Sequence, residues 1–417
     1  MLKFTFVSFV ALNKLTALTQ QLFSSAVQSF IDEHELDDIH ELLLKYKAIN
    51  TVPISVIIDQ IIGRRKAREK FRSWSEQKRV IYPPSINLEQ SSSEQTARNK
   101  VAMLSKELAL NTSSLLDLTG GFGIDSYFFS RSFREVHFVE PNGDLLKIAQ
   151  HNHAQLGVNN IQYHNSTAEE FLESLDRKFD LIYIDPSRRP KDNQKVFSLN
   201  QCVPDVVLLQ EKIWQVTDRL LVKASPLLDI EKALKDLKHA KKVSVVSVHN
   251  ECKELLFYCE KTFESEPLIE AKNLTETEFA FSFKISEERK LEVKYSDPLQ
   301  FVYEPNASLL KSGAFKTIAF RFKINKLHPS THFYTSENRI DFFPGRVFKI
   351  ESHVKLRDKM LTFFPDGKAN IITRNYPLTV QDLRKKTGLK EGGERYLIGC
   401  SGMSKKFLLV AVKLDSL

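Results

Sequence analysis

Few folds accommodate the stretch L-L-D-L-T-G-G-F-G-I-D-S-Y-F-F-S-R-S-F-R-E-V-H-F-V-E, residues 115–140. The apolar run Leu115, Leu116, Leu118 predicts a short strand, and Gly120, Gly121 and Gly123 follow it at once. Ile124, Tyr127, Phe128 and Phe133 then recur at helical spacing, and Val136, Phe138 and Val139 predict a second strand ending at Glu140. Glycines let the backbone turn sharply and approach a ligand, and a helix start offers N–H groups. An acid at the end of the second strand is placed to bind two ribose hydroxyls. The order strand, glycine turn, helix, strand, acid predicts a nucleoside-binding βαβ unit.

Two nucleoside cofactors compete for such a unit. NAD(P) needs G-x-G-x-x-G, and Ser126 stands where the third glycine would be. S-adenosylmethionine suits the residues better. Asp117, just ahead of the glycines, can meet an amino group but would repel a pyrophosphate, and Asp185-Pro186 follows a later strand. The stretch resembles motif I of class I S-adenosylmethionine-dependent methyltransferases, D-x-x-x-G-x-G. The bland alternative is a tight turn with no ligand.

From 112 to about 285 the pattern alternates strand and helix, which predicts a doubly wound, mainly parallel sheet with its ligand at the strands' carboxyl ends. Strands are expected at 161–163, 179–184, 220–222 and 243–248, with a final half-exposed strand at 279–283. Helices are expected at 145–157, 169–175, 206–216, 230–237 and 251–259. Residues 1–110 read as mostly helical. Their basic run, Arg64, Arg65, Lys66, Arg68, Lys70, Arg72, Lys78 and Arg79, is either a solvated helix face or a phosphate-binding face with Trp74 and Tyr82 as stacking rings. The polar segment 86–100 enters a helix through Ser93 with Thr96, or through a Ser91–Glu94 capping box; it is either a linker or a cover for the pocket. Beyond about 290 the character changes. A helix is expected through Gly313 to Phe322, a strand at 369–373, a basic helix at 380–386 and closing strands at 396–400 and 407–412. The expected divisions are 1–110, 111–287, 288–335 and 336–417.

The net charge of +8 suits a nucleic-acid partner without requiring one. Cys202, Cys252, Cys259 and Cys400 have neither zinc-site spacing nor a disulfide pattern, which fits a reducing, cytoplasmic setting and no metal. The apolar Phe4–Leu12 stretch has a thin positive region and no clear cleavage site, and is too short to span a bilayer.

Methyl transfer asks an enzyme mainly to align an acceptor and exclude water. Asp185, Pro186, Ser187 and Arg188 are the candidate acceptor-facing residues. Exocyclic-amine methyltransferases have [DN]-P-P-[YFW] here; Ser187 and Arg188 replace the second proline and the aromatic, although an arginine plane can still stack or hold a phosphate. Asp-Pro-x-Arg also resembles part of the uridine C5 methyltransferase pattern. That chemistry needs a cysteine nucleophile, and the strand end Ala224-Ser225-Pro226 has none. Direct transfer to nitrogen or oxygen is the favoured reading. Lys223 either contacts substrate or supports the edge.

The chain as a whole resembles class I S-adenosylmethionine-dependent methyltransferases that carry a ferredoxin-like segment and a C-terminal THUMP-like domain. The pieces that carry this are Tyr82-Pro83-Pro84, Ser92-Ser93-Glu94-Gln95-Thr96-Ala97, Asp117 to Gly123, Asp185 to Arg189, Ser225 to Ile230, Asn250 to Leu255, Glu304-Pro305-Asn306-Ala307, Phe343-Pro344-Gly345-Arg346 and Asn375-Tyr376-Pro377-Leu378. The resemblance implies an α/β Rossmann-like methyltransferase domain beside a helical N-terminal region and a small α+β THUMP-like domain. It implies S-adenosylmethionine held by Asp117, Thr119, Gly120, Gly121, Gly123 and Glu140, with Ser166 and Thr167 bordering the adenine, and it implies RNA (tRNA or rRNA) as partner. A small-molecule or protein methyltransferase, or an inactive RNA-binding protein of the same fold, are the alternatives.

Overall fold

The computed structural model describes residues 20–188, 198–275 and 278–414, with the Arg188 side chain outside that set. The Phe4–Leu12 stretch lies outside the described residues. By internal contacts the chain forms two units. The first is 1–187 with 202–221; the second is 188–201 with 222–417. The division falls inside the strand Arg219–Ala224.

The first unit opens with the helices α1 (Ser25–Glu33), α2 (Ile39–Lys45), α3 (Ile54–Lys70) and α4 (Glu94–Leu104). Val27, Ile31, Leu42, Val52, Ile57 and Ile61 close one apolar core among the first three. A second core joins Trp74, Tyr82, Leu88 and Ala97 to Phe122, Ile124 and Phe128 of the glycine stretch. Trp74 is fully buried and Tyr82 nearly so, with the Trp74 and Phe122 ring centroids 5.0 Å apart. These rings are therefore packing residues; neither offers a face to a base. The basic run is tied down as well. Arg64 pairs with Asp32 at 2.5 Å, Arg68 with Glu35 at 2.8 Å and Lys66 with Glu89 at 2.5 Å, while Lys70 donates to the Leu88 and Glu89 carbonyls. These four residues staple α3 to its neighbours, while Arg72, Lys78 and Arg79 at the end of the run stay exposed. Ser93, accepting the Thr96 N–H at 3.2 Å, caps α4. The Ser91–Glu94 box is not formed, because Ser91 ends the short helix Ser85–Gln90.

The sheet of this unit holds β1 (Ser114–Asp117), β2 (Glu135–Val139), β3 (Ile161–His164) and β4 (Leu181–Ile184), all parallel, in the order β4-β1-β2-β3. The helices α5 (Ile124–Ser130), α6 (Gly143–Gln155) and α7 (Ala168–Glu173) make the connections, and α8 (Val206–Val216) follows. All four residues of β1 are buried, as are all four of β4, so both faces of these strands are covered and neither strand alternates with solvent. The chain winds outward from β1 through β2 to β3 and returns to β4 on β1's other side. A parallel sheet opens a crevice at such a reversal, beyond the strands' carboxyl ends.

In the second unit, β5 (Arg219–Ala224) supplies its last residues, and β6 (Ala240–Val248), β7 (Glu251–Glu260), β8 (Leu268–Asn273) and β9 (Phe279–Phe283) lie in the order β9-β8-β6-β7. Residues 251–259 are thus a strand and not the expected helix. Leu255–Cys259 is a continuous buried run, which periodicity cannot assign to either state. The His249-Asn250 turn, with φ of +50° and +59°, decides it by folding β7 back antiparallel on β6.

The rest of this unit is one seven-stranded sheet of β10 (Phe301–Pro305), β11 (Asn325–Lys326), β12 (Tyr334–Ser336), β13 (Gly345–Val354), β14 (Asn370–Arg374), β15 (Arg395–Ser401) and β16 (Lys406–Leu414), ordered β11-β12-β10-β13-β16-β15-β14. The helix expected through Gly313 is two, α9 (Ala307–Ser312) and α10 (Phe315–Phe322). The basic helix is α11 (Val380–Thr387), which connects the parallel strands β14 and β15. No helix among the described residues is long and apolar enough to cross a membrane.

Candidate active site

Four strand ends bring the sequence-predicted residues together at one sheet edge. Asp117 closes β1 and Thr119 lies just beyond it; Glu140 follows β2; Ser166 and Thr167 follow β3; Asp185 follows β4. A short hydrogen-bond chain joins the two ends that flank the crevice. Thr119 N–H donates to Asp117 Oδ1 at 3.0 Å, and Thr119 Oγ1 accepts the Asp185 N–H at 2.7 Å.

Asp117 is 1% exposed, and its carboxylate points into the loop. Ser126, in the third-glycine position, donates its hydroxyl to Asp117 Oδ2 at 2.5 Å. Burial pushes the Asp117 carboxyl up to about 7; the Ser126 and Thr119 bonds oppose this, and the charges of Asp125 and Asp185 add to it. The work of Asp117 here is to hold the glycine turn.

The three glycines have different reasons. A Cβ on Gly120 would fall 2.3 Å from the Phe138 ring, and one on Gly123 2.7 Å from His153, so packing excludes side chains at both. Gly121, at φ +57°, would meet nothing nearer than a carbonyl at 3.8 Å, so open space lies over its α-carbon. Its N–H donates to Glu140 Oε2 at 2.9 Å, and the Asn142 N–H donates to Oε1 at 2.8 Å. Burial raises the Glu140 carboxyl above its ordinary range, against the pull of those two N–H groups. Each Glu140 oxygen keeps a second lone pair, so the carboxylate is fixed in orientation and can still accept from a diol. A fixed acid beside an open glycine backbone fits a ribosyl cofactor such as S-adenosylmethionine.

Thr167 caps α7 in a capping box with Glu170, and the Ser166 hydroxyl donates to the Thr167 carbonyl at 3.1 Å. Both side chains are spent on the local turn. Ser187 begins a two-residue strand pairing with Cys202–Val203. The Arg188 side chain and residues 189–197, with Arg189 and Pro190, lie outside the described residues.

Two supports escaped the sequence reading. Lys100, with no exposed surface, sits 3.2 Å from Asp125 Oδ1 and donates to Ser92 Oγ at 3.0 Å. Ser92 and Tyr183 each donate a hydroxyl to Asp125 Oδ2 at 2.7 Å. The S-S-S-E-Q-T-A segment is therefore anchored to the first turn of α5. His153, also fully buried, bonds the Gly123 carbonyl through Nε2 at 2.9 Å and the Tyr163 hydroxyl through Nδ1 at 3.0 Å. No local pattern marks either residue, since Asp125 stands 25 positions from Lys100 and Gly123 stands 30 from His153.

Burial drives His153 down to about 4 from its ordinary 6.5, against the Gly123 carbonyl, which favours the proton. A depressed histidine stabilises the fold above pH 6.5 and loses that contribution as pH falls through the folded value, at a cost of up to about 3 kcal/mol. Asp117, raised to about 7, runs the other way. A variant separates the two. His153→Asn should gain stability relative to wild type as pH drops from 6.5 to 4, whatever its offset at neutral pH. Urea unfolding at pH 7, 5.5 and 4.5 measures this, and parallel curves would disprove it.

Comparison with known proteins follows the same lines. Family profiles match residues 95–244 ("Conserved hypothetical protein 95"), 301–344 (a ferredoxin-like domain) and 345–413 (THUMP domain-like). A solved structure from Porphyromonas gingivalis W83, described as a "putative methyltransferase", is 31% identical over 93% of this chain and 98% of its own, with a TM-score of 0.79. An rRNA methylase structure from Streptococcus thermophilus is 16% identical over 40% of this chain and 96% of its own; its TM-score of 0.31 leaves it without weight. No curated protein matches the chain.

Proposed function

The chain belongs to the methyltransferase family represented by that Porphyromonas gingivalis protein, and on this premise we propose that it is an S-adenosylmethionine-dependent methyltransferase that modifies RNA by direct transfer to a base or ribose atom. The observation that carries the reading is the convergence of Asp117, Thr119, Gly121, Glu140 and Asp185 at the sheet's reversal point. Glu140 accepts the ribose hydroxyls. The Gly121 backbone lets the cofactor approach closely, Ser166 and Thr167 border its base, and Asp117 with Ser126 keeps the turn in shape. The cofactor supplies a methyl group already activated on sulfonium sulfur. Asp185 orients the acceptor and takes the hydrogen-bond from its N–H or O–H, with Pro186, Ser187 and Arg188 forming the acceptor side.

The cysteines support direct transfer. Cys202, Cys259 and Cys400 are buried, and burial pushes the thiols of Cys252, Cys259 and Cys400 up to about 12, so none of these three is a ready thiolate nucleophile. The THUMP-like match at 345–413 supports RNA as acceptor, and the domain limits 111–287 and 336–417 belong to the same proposal. The test is incubation with methyl-labelled S-adenosylmethionine and total RNA. Label should enter RNA; label entering only protein or small molecules would replace the RNA reading. In the same preparation Glu140→Ala should weaken cofactor binding by roughly tenfold or more, since it removes a charged acceptor and loosens Gly121 together. Unchanged calorimetric affinity would take Glu140 out of the site.

A further inference from the structure

The chain's positive charge is concentrated in one segment. Residues 345–413 hold 15 Lys and Arg against 6 Asp and Glu, a net +9, whereas the remaining residues carry 45 against 46. Within this segment two guanidiniums from different strands meet on one carboxylate. Glu304 of β10, 2% exposed, accepts from Arg346 Nε at 2.7 Å on Oε2 and from Arg374 Nη2 at 2.6 Å on Oε1, and Arg346 Nη2 also lies against Oε2. One cation would neutralise this carboxylate. Two leave a net positive charge whose position is fixed by three strands. The arginine side chains are 33% and 44% exposed, and a guanidinium bonded to a carboxylate along one edge keeps N–H groups for a phosphate on another.

Four residues before Arg346 stands Phe342, 80% exposed at φ +56°. A bulky side chain in the left-handed region is strained, and such strain gathers at ligand sites. The turn that imposes it is pinned on its far side. Phe343 is buried against Tyr303 and Phe322, with ring centroids at 5.0 and 5.3 Å, and the Asn306 N–H donates to the Pro344 carbonyl at 3.0 Å. Burying Phe343 leaves its neighbour's ring in solvent. An exposed ring four residues along the chain from one of two fixed cations supplies the two parts that grip a single strand, where bases stack and phosphates pair.

We propose that Phe342, Arg346 and Arg374 form a binding site for single-stranded RNA, with an unpaired base on Phe342 and its neighbouring phosphate on the two arginines. This rests on the RNA reading above and assigns its contact to the THUMP-like segment and the turn that leads into it. Arg374→Gln and Phe342→Ala are the informative variants, because Arg346 still neutralises Glu304 in the first and the second removes a solvent-exposed ring.

The experiment uses the full chain and a fluorescein-labelled, unstructured 12-nucleotide RNA, read by anisotropy over a salt series, with cofactor affinity measured in parallel. Phe342→Ala should bind the RNA roughly tenfold more weakly at an unchanged salt slope, and Phe342→Trp should restore it. Arg374→Gln should weaken binding and make the log–log salt slope shallower by about 0.7, the single-strand value for one phosphate contact. Wild type that binds while both variants match it would overturn this site and leave the RNA reading standing. Wild type that binds no RNA at low salt would overturn both.

Discussion

Asp185→Ala protein should bind S-adenosylmethionine about as tightly as wild type and transfer its methyl group to RNA some 10²–10⁴ times more slowly, the usual range for losing a group that handles the acceptor's proton. Asp185 follows a strand with no exposed residue, at the edge where the sheet reverses. The bond that sets its position runs from its backbone N–H to Thr119 Oγ1, and alanine keeps that bond. The variant therefore removes the carboxylate and leaves the strand ends joined. Single-turnover transfer with labelled cofactor gives the rate, and equilibrium dialysis gives the affinity. A variant that keeps more than a tenth of the wild-type rate would remove Asp185 from the chemistry. A second readout is independent of activity. The Asp185 charge helps to raise the Asp117 carboxyl, so Asp117 should titrate lower in the variant.

Lys100→Met should be among the most destabilising single changes in the first unit. It strips the Lys100 cation from Asp125, whose carboxylate is buried and would keep the Ser92 and Tyr183 hydroxyls. Breaking a buried pair from one side costs about 3–5 kcal/mol, a large part of the 5–15 kcal/mol that typically holds a domain together. Asp125 lies in the first turn of α5, directly after Gly123, so cofactor affinity should fall with stability. The double variant Lys100→Met with Asp125→Asn removes both charges and should recover most of the loss. Urea midpoints for the single and double variants form the test. A single variant within about 1 kcal/mol of wild type would show that the pair contributes little.

The ion pairs of Arg64, Lys66 and Arg68 and the burial of Trp74 take those residues out of any nucleic-acid face on the N-terminal helices. Charge counted along a sequence cannot make that distinction, because Arg64 and Arg68 meet acids from α1 and the turn after it, about 30 residues upstream. Within the +9 of residues 345–413, Lys385, Lys386, Lys390 and Lys406 are all exposed.

What the sequence determined by itself is the βαβ unit and the edge on which its acids stand. Glycine punctuation, the change from strand to helix spacing and an acid after a strand are local properties, and they placed Asp117, Glu140 and Asp185 at carboxyl ends, as the structure has them. They also marked α8 to the residue, because Val206–Val216 is long and evenly patterned. Only the tertiary structure decided what each acid faces. Asp117 turns inward because Ser126, nine positions on, reaches back to it across the turn; Glu140 is held by Gly121; and Asp125 finds Lys100 in another helix. It also made 251–260 a strand, since the buried apolar run Leu255–Cys259 takes its state from what it pairs with. Periodicity reports which residues leave water. Which charges and rings they meet there depends on neighbours far away in sequence, and that meeting sets the ionisation, rigidity and exposure on which function depends.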